Sequence, residues 1–79
     1  MEDIKADKVM DLKGLPCPMP VVKVSKGIKE VAVGQVLEAH TSDPGALADF
    51  PAWARTSGNE IVKTVTEGKI TRFFIRRNK

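Results

Sequence analysis

Two periodicities divide the chain. Val9–Lys13 alternates, with Met10 and Leu12 set against Asp11 and Lys13, which predicts a short strand. Val21, Val24, Ile28 and Val31 then recur at helical spacing. At about 100° per residue they form one apolar stripe, opposite Lys23, Lys26, Lys29 and Glu30. The spacing predicts an amphipathic helix from Pro18 to Val31, with Gly27 inside it. After Gly34, Gln35–Ser42 alternates again, Leu37, Ala39 and Thr41 on one face and Val36, Glu38 and His40 on the other. The string "SDPG" signals a second helix start, with Asp43 as cap and Pro44 in the first position. That helix should stop at Gly58, a natural left-handed cap. Pro51 predicts a kink, or a restart capped by Asp49. Leu47, Phe50, Trp53 and Ala54 share its apolar face. Glu60–Thr66 and Ile70–Arg77 are β-rich runs joined through Gly68, which suggests a hairpin. In the last run Phe73 and Ile75 share one face, and Arg72, Phe74 and Arg76 the other.

The order is βαβαββ. Right-handed crossovers place both helices on one side of the sheet. The expected architecture is an α/β (α+β) two-layer sandwich: a four-stranded mixed sheet with two helices on one face and the other face open.

Composition narrows the class. The 79 residues suffice for one small domain, with 42% hydrophobic and 29% charged positions. No apolar run approaches the roughly 18 residues of a membrane span. The opening "MEDIKADK" is charged and lacks the apolar stretch of a secretory signal. The expectation is a cytoplasmic chain with a flexible segment at 1–8, a domain at 9–79 and no membrane partner. A single cysteine excludes an internal disulfide, and one Cys with one His cannot supply a structural zinc site. The net charge of +3 is compatible with RNA or with an acidic protein partner.

The one thiol sits in an unusual frame, "GLPCPMPVV". Cys17 falls at the end of the first strand–helix turn, next to the predicted helix N-terminus, where outward N–H groups and the helix dipole favour a thiolate. Pro18 suits the first helical position, Pro16 and Pro20 stiffen the approach and first turn, and Gly14 allows the turn itself. The competing reading is a small buried cysteine without chemistry.

"DLKGLPCPMPVV" resembles the signature of the TusA/SirA-like sulfur-carrier family, whose hallmark is Cys-Pro-x-Pro at the start of the first helix. "SDPGALADFPAWARTSGNEIV" resembles that family's second helix and following turn, and "ITRFFIRR" its last strand, so the similarity runs from Val9 to Arg77. The resemblance implies the same βαβαββ sandwich. It also implies that Cys17 carries sulfur as a persulfide, taken from a desulfurase or rhodanese-like donor and passed to an acceptor protein. Such a chain is a component of a sulfur relay rather than a stand-alone turnover enzyme, and the exchange requires no metal or organic cofactor. Related pathways feed thiolation of transfer RNA, molybdenum-cofactor assembly or sulfur metabolism. Lys13 stands where family members often have Arg, which keeps the charge and loses a bidentate contact.

Other residues carry weaker signals. Asp11 can bond turn N–H groups or steer Lys13. Parallel strands bring their C-terminal ends together, so Asp43 can share a surface with the first turn. Lys13, Met19, Lys23 and Asp43 are candidates for partner docking, with gap-filling in the core as the rival role for Met19. His40 falls on the open sheet face, away from the thiol. Arg72, Arg76, Arg77 and Lys79 form a basic end. The alternative function is a non-catalytic RNA-binding or regulatory module using a basic open sheet face, although Phe74 is the only aromatic expected there. Nucleic acid is otherwise expected only indirectly, and the chain as a monomer or weak homo-oligomer.

Overall fold

The segments marked by patterning become the elements of a computed structural model, which describes residues 5–16 and 19–79. In chain order they are β1 (Lys8–Asp11), α1 (Met19–Gly27), a single 3-10 turn (Ile28–Glu30), β2 (Val36–Thr41), α2 (Ala46–Ser57), β3 (Glu60–Glu67) and β4 (Ile70–Arg76). The sheet order is β1-β2-β4-β3. β1 runs parallel to β2, and β4 is antiparallel to both β2 and β3. This is the expected mixed sheet with both helices on one face. Ahead of β1, the Asp7 N–H donates to the Val36 carbonyl at 2.7 Å, and the Val36 N–H donates to Asp7 Oδ2 at 2.9 Å.

The core lies between the helix layer and one sheet face. Leu37, Ala39, Phe73 and Ile75 from the sheet meet Val24, Ile28, Ala46 and Phe50 from the helix layer. Phe50 stacks at 4.6 Å between ring centroids on Phe73 and meets Trp53 edge-on. β2 buries every second residue, as its alternation predicts. Leu47 departs from expectation and is 50% exposed. The buried stripe of α2 is Ala46, Phe50 and Ala54. Leu47 and Trp53 lie about 60° to either side of that stripe's centre at 100° per residue. Trp53 still packs against the core edge, whereas Leu47, in the first turn, is half uncovered.

Three local expectations change. α1 proper ends at Gly27 and tightens into the 3-10 turn, yet Ile28 and Val31 remain buried. α2 runs unbroken through Pro51, without a restart at Asp49. Pro51 sits on the exposed side, where water can take the bond that proline cannot donate. Asp43 does not cap α2 with its side chain; Gly45 holds the N-cap position and makes no side-chain bond. The first N–H groups of α2 turn to backbone instead, Ala46 to the Asp43 carbonyl and Leu47 to that of Pro44. Gly58 ends α2 at φ 80°, as expected. Glu67 and Ile70 pair across the hairpin, leaving a two-residue loop with Gly68 at φ 61°.

Gly27 has a packing reason. A Cβ there would lie 2.5 Å from Met10 Sδ and 3.5 Å from Leu37 Cδ1. Alanine improves helix propensity by about 1 kcal/mol, but overpacking costs about 1–3 kcal/mol. Gly27→Ala is therefore expected to lower the denaturation midpoint slightly. A raised midpoint would show that Met10 moves aside freely.

Candidate functional site

The C-terminal ends of the parallel strands β1 and β2 bring two turns together. Asp11 Oδ1 accepts the Lys13 N–H at 3.1 Å, and the Lys13 ammonium lies 3.9 Å from Asp11 Oδ2. Asp11 thus fills both roles expected of it. Gly14 adopts φ 85°, in the left-handed region, and its N–H donates to Ser42 Oγ at 2.8 Å. That bond ties the β1–α1 turn to the β2–α2 turn. Beyond it, the Leu15 N–H donates to the Leu12 carbonyl at 3.2 Å and the Met19 N–H to the Pro16 carbonyl at 2.9 Å. Pro20 is buried, so it packs as well as stiffens. Lys13 and Lys23 are exposed, and Met19, 38% exposed, fills no gap in the core. The expectations for Cys17 and Pro18, a thiol beside the helix end and a proline in its first position, lie outside the described residues.

Asp43 belongs to this end of the molecule. Its N–H donates to Thr41 Oγ1 at 3.2 Å, while its Oδ2 is buried without a hydrogen-bond partner. It borders a shallow groove of about 310 Å³ that includes Pro44, Leu47, Thr71 and the hairpin loop. Ser42 and this groove were not singled out from the sequence. The signal available was topological: parallel strands bring their following turns together, so polar turn residues after β2 were candidates for bonding the turn after β1.

The open sheet face is different from the basic surface expected. Arg72 pairs with Glu67 at 3.1 Å and lies 3.8 Å from Glu38, and Arg76 pairs with Glu60. His40 Nε2 lies 2.5 Å from Glu38 Oε2, so its partner is a carboxylate on the open face. Phe74, on this face, is only 7% exposed and offers no ring for stacking. Among the described residues Lys63, opposite Phe74, is the one cation of this face outside an ion pair, and no aromatic ring is exposed there, so the face offers little to the RNA-binding alternative. The basic end does not form as one patch either. Arg77 turns the other way, its Nη1 donating to the Val31 carbonyl at 2.7 Å.

No helix among the described residues is long and apolar enough to cross a membrane. Comparison with known proteins gives a consistent picture. The family model described as Sulfurtransferase TusA matches residues 8–77. The Bacillus subtilis protein YrkF is 49% identical over 74 residues, 94% of this chain, but the chain spans only 40% of that protein's length. The sulfur carrier protein TusA of Allochromatium vinosum is 36% identical over 72 residues, covering 91% of this chain and 95% of that one. The crystal structure of a SirA-like protein from Desulfitobacterium hafniense superposes with a TM-score of 0.77 over 91% of this chain and 99% of the other. At 18% identity that last likeness concerns the fold.

Proposed function

The chain belongs to the sulfurtransferase TusA family, and from that premise we propose that it is a sulfur carrier whose persulfide forms on Cys17. The observation that carries this reading is the position of the Cys-Pro-Met-Pro motif. In sequence it follows the turn held by the Gly14–Ser42 bond, and its Met19 and Pro20 are the first two residues of α1. A helix N-terminus two residues beyond the thiol favours the thiolate, the nucleophilic form. Gly14 and Pro16 shape the approach, and Pro20 is buried in the first turn of α1.

The exchange balances without an external oxidant. The Cys17 thiolate attacks the outer sulfur of a donor protein's persulfide. The donor's S–S bond breaks, its thiolate leaves, and Cys17 holds the terminal sulfur. An acceptor thiolate then attacks that terminal sulfur, the new S–S bond breaks, and the Cys17 thiolate is restored. The partners are thus a donor protein, of desulfurase or rhodanese-like type, and an acceptor protein, both engaged in the cytoplasm. The chain acts as a component of the relay rather than as a stand-alone turnover enzyme. Lys13, Met19, Lys23 and Asp43 surround the motif's turn and helix, and are the proposed docking contacts.

Incubation with a cysteine desulfurase and cysteine, or with a rhodanese and thiosulfate, is expected to add one sulfur atom, about 32 Da, removable by a thiol reductant. An unchanged mass with several protein donors and with free polysulfide would overturn the proposal.

A further inference from the structure

The positive charge missing from the open sheet face collects elsewhere. A cleft of about 470 Å³ opens on the helix side, lined by Lys26, Lys29, Arg77 and Lys79 around Trp53 and Ile28. No aspartate or glutamate lines it. Its four cations exceed the net charge of the whole chain, +3. Arg77 is anchored through the Val31 carbonyl, and the Lys79 stem lies over Gly58, where a Cβ would come within 2.7 Å of it. Helix dipoles explain part of this clustering. Lys26 is in the last turn of α1, and a helix C-terminus carries about half a negative charge. Two such ends offset about one unit, and Arg77 also donates to the Lys29 and Lys79 carbonyls, which leaves the three lysines as the charges open to a ligand.

We propose that this cleft docks an acidic segment of a partner protein, with carboxylates on the lysines and an apolar side chain against Trp53. Charge complementarity selects the occupant. The cleft is compact and holds a few side chains, whereas nucleic-acid grooves are longer and present successive aromatics. Here there is one. Identifying the partner as a protein that exchanges sulfur rests on the carrier reading above. Lys26 lies about 10 Å along α1 from Met19 at 1.5 Å per residue. A footprint of about 800 Å² per partner is wide enough to reach from Met19 to the cleft.

Trp53 is the chain's only tryptophan, so its emission reports on the cleft directly. The probe is a synthetic peptide alternating glutamate with leucine, titrated at low salt beside its glutamine counterpart and an oligouridylate. The acidic peptide is expected to change Trp53 emission saturably, and the effect should weaken as salt screens the charges. In the double variant Lys26→Glu/Lys29→Glu, both sites being exposed, affinity should fall about tenfold or more, while loading of Cys17 by polysulfide stays unchanged. Cys17→Ser should bind the peptide like the wild type, which separates failure of the cleft from failure of the sulfur chemistry. The proposal is overturned if millimolar acidic peptide leaves the emission unchanged, if the glutamine peptide binds equally well, or if the double variant binds undiminished. Tighter binding of the oligouridylate would overturn it in favour of a nucleic-acid site.

Discussion

Cys17→Ser is expected to acquire no sulfur from any donor and to unfold at nearly the wild-type denaturant concentration. The loss should be complete rather than partial. A persulfide is a sulfur–sulfur bond, and a serine hydroxyl cannot form one by thiol exchange. No other residue can substitute, because the sequence contains one cysteine. Stability should hold because the turn before the motif is supported by groups other than the thiol. Gly14 is bonded to Ser42, Lys13 to Asp11, and Pro20 is packed in the core. Mass spectrometry after donor incubation and a denaturation curve read the two halves of this expectation. A variant that loads no sulfur but also loses several kcal/mol of stability would point to a packing role for the thiol. In that case the wild type should also remain unmodified.

Phe50→Ala is expected to cost about 3–5 kcal/mol, the range for deleting a buried aromatic ring. Phe50 is fully buried and sits at the junction of α2, β4 and Trp53. A chain of this size is stable by about 4–12 kcal/mol, so the variant should be marginal or unfolded at room temperature. Leu47→Ala, one turn earlier on the same helix, should shift stability by only about 0.5 kcal/mol because Leu47 is half exposed. Urea titrations of the two variants side by side test the placement of α2 on the sheet. Comparable losses would show that the helix is rotated toward Leu47.

The elements and most faces were legible because backbone geometry imposes a period on each. The alternation of β2 names its buried residues, and the stripe Val24, Ile28, Val31 survives even where α1 tightens into a 3-10 turn. Periodicity says which side of a helix faces inward, but not how far the opposite layer extends. Leu47 and Trp53 flank the same stripe, yet only one is covered well enough to join the core edge. Asp43 was misread as a side-chain cap because the first N–H groups of α2 found backbone carbonyls within their own turn. Ser42 escaped notice because its partner lies 28 residues away in sequence.

The succession of strands and helices is a local matter, legible from spacing and turn residues, and so is the setting of the one cysteine in a Cys-Pro-x-Pro motif. Which charges are free is settled only when strands pair. Arg72 and Arg76 looked basic in sequence, but β4 lies between β2 and β3 and meets Glu38, Glu60 and Glu67. Arg77, one residue further, points toward the helix layer and joins Lys26, Lys29 and Lys79 around Trp53. Coulomb interactions depend on distances in space, and distances between residues far apart along the chain exist only once the sheet has closed.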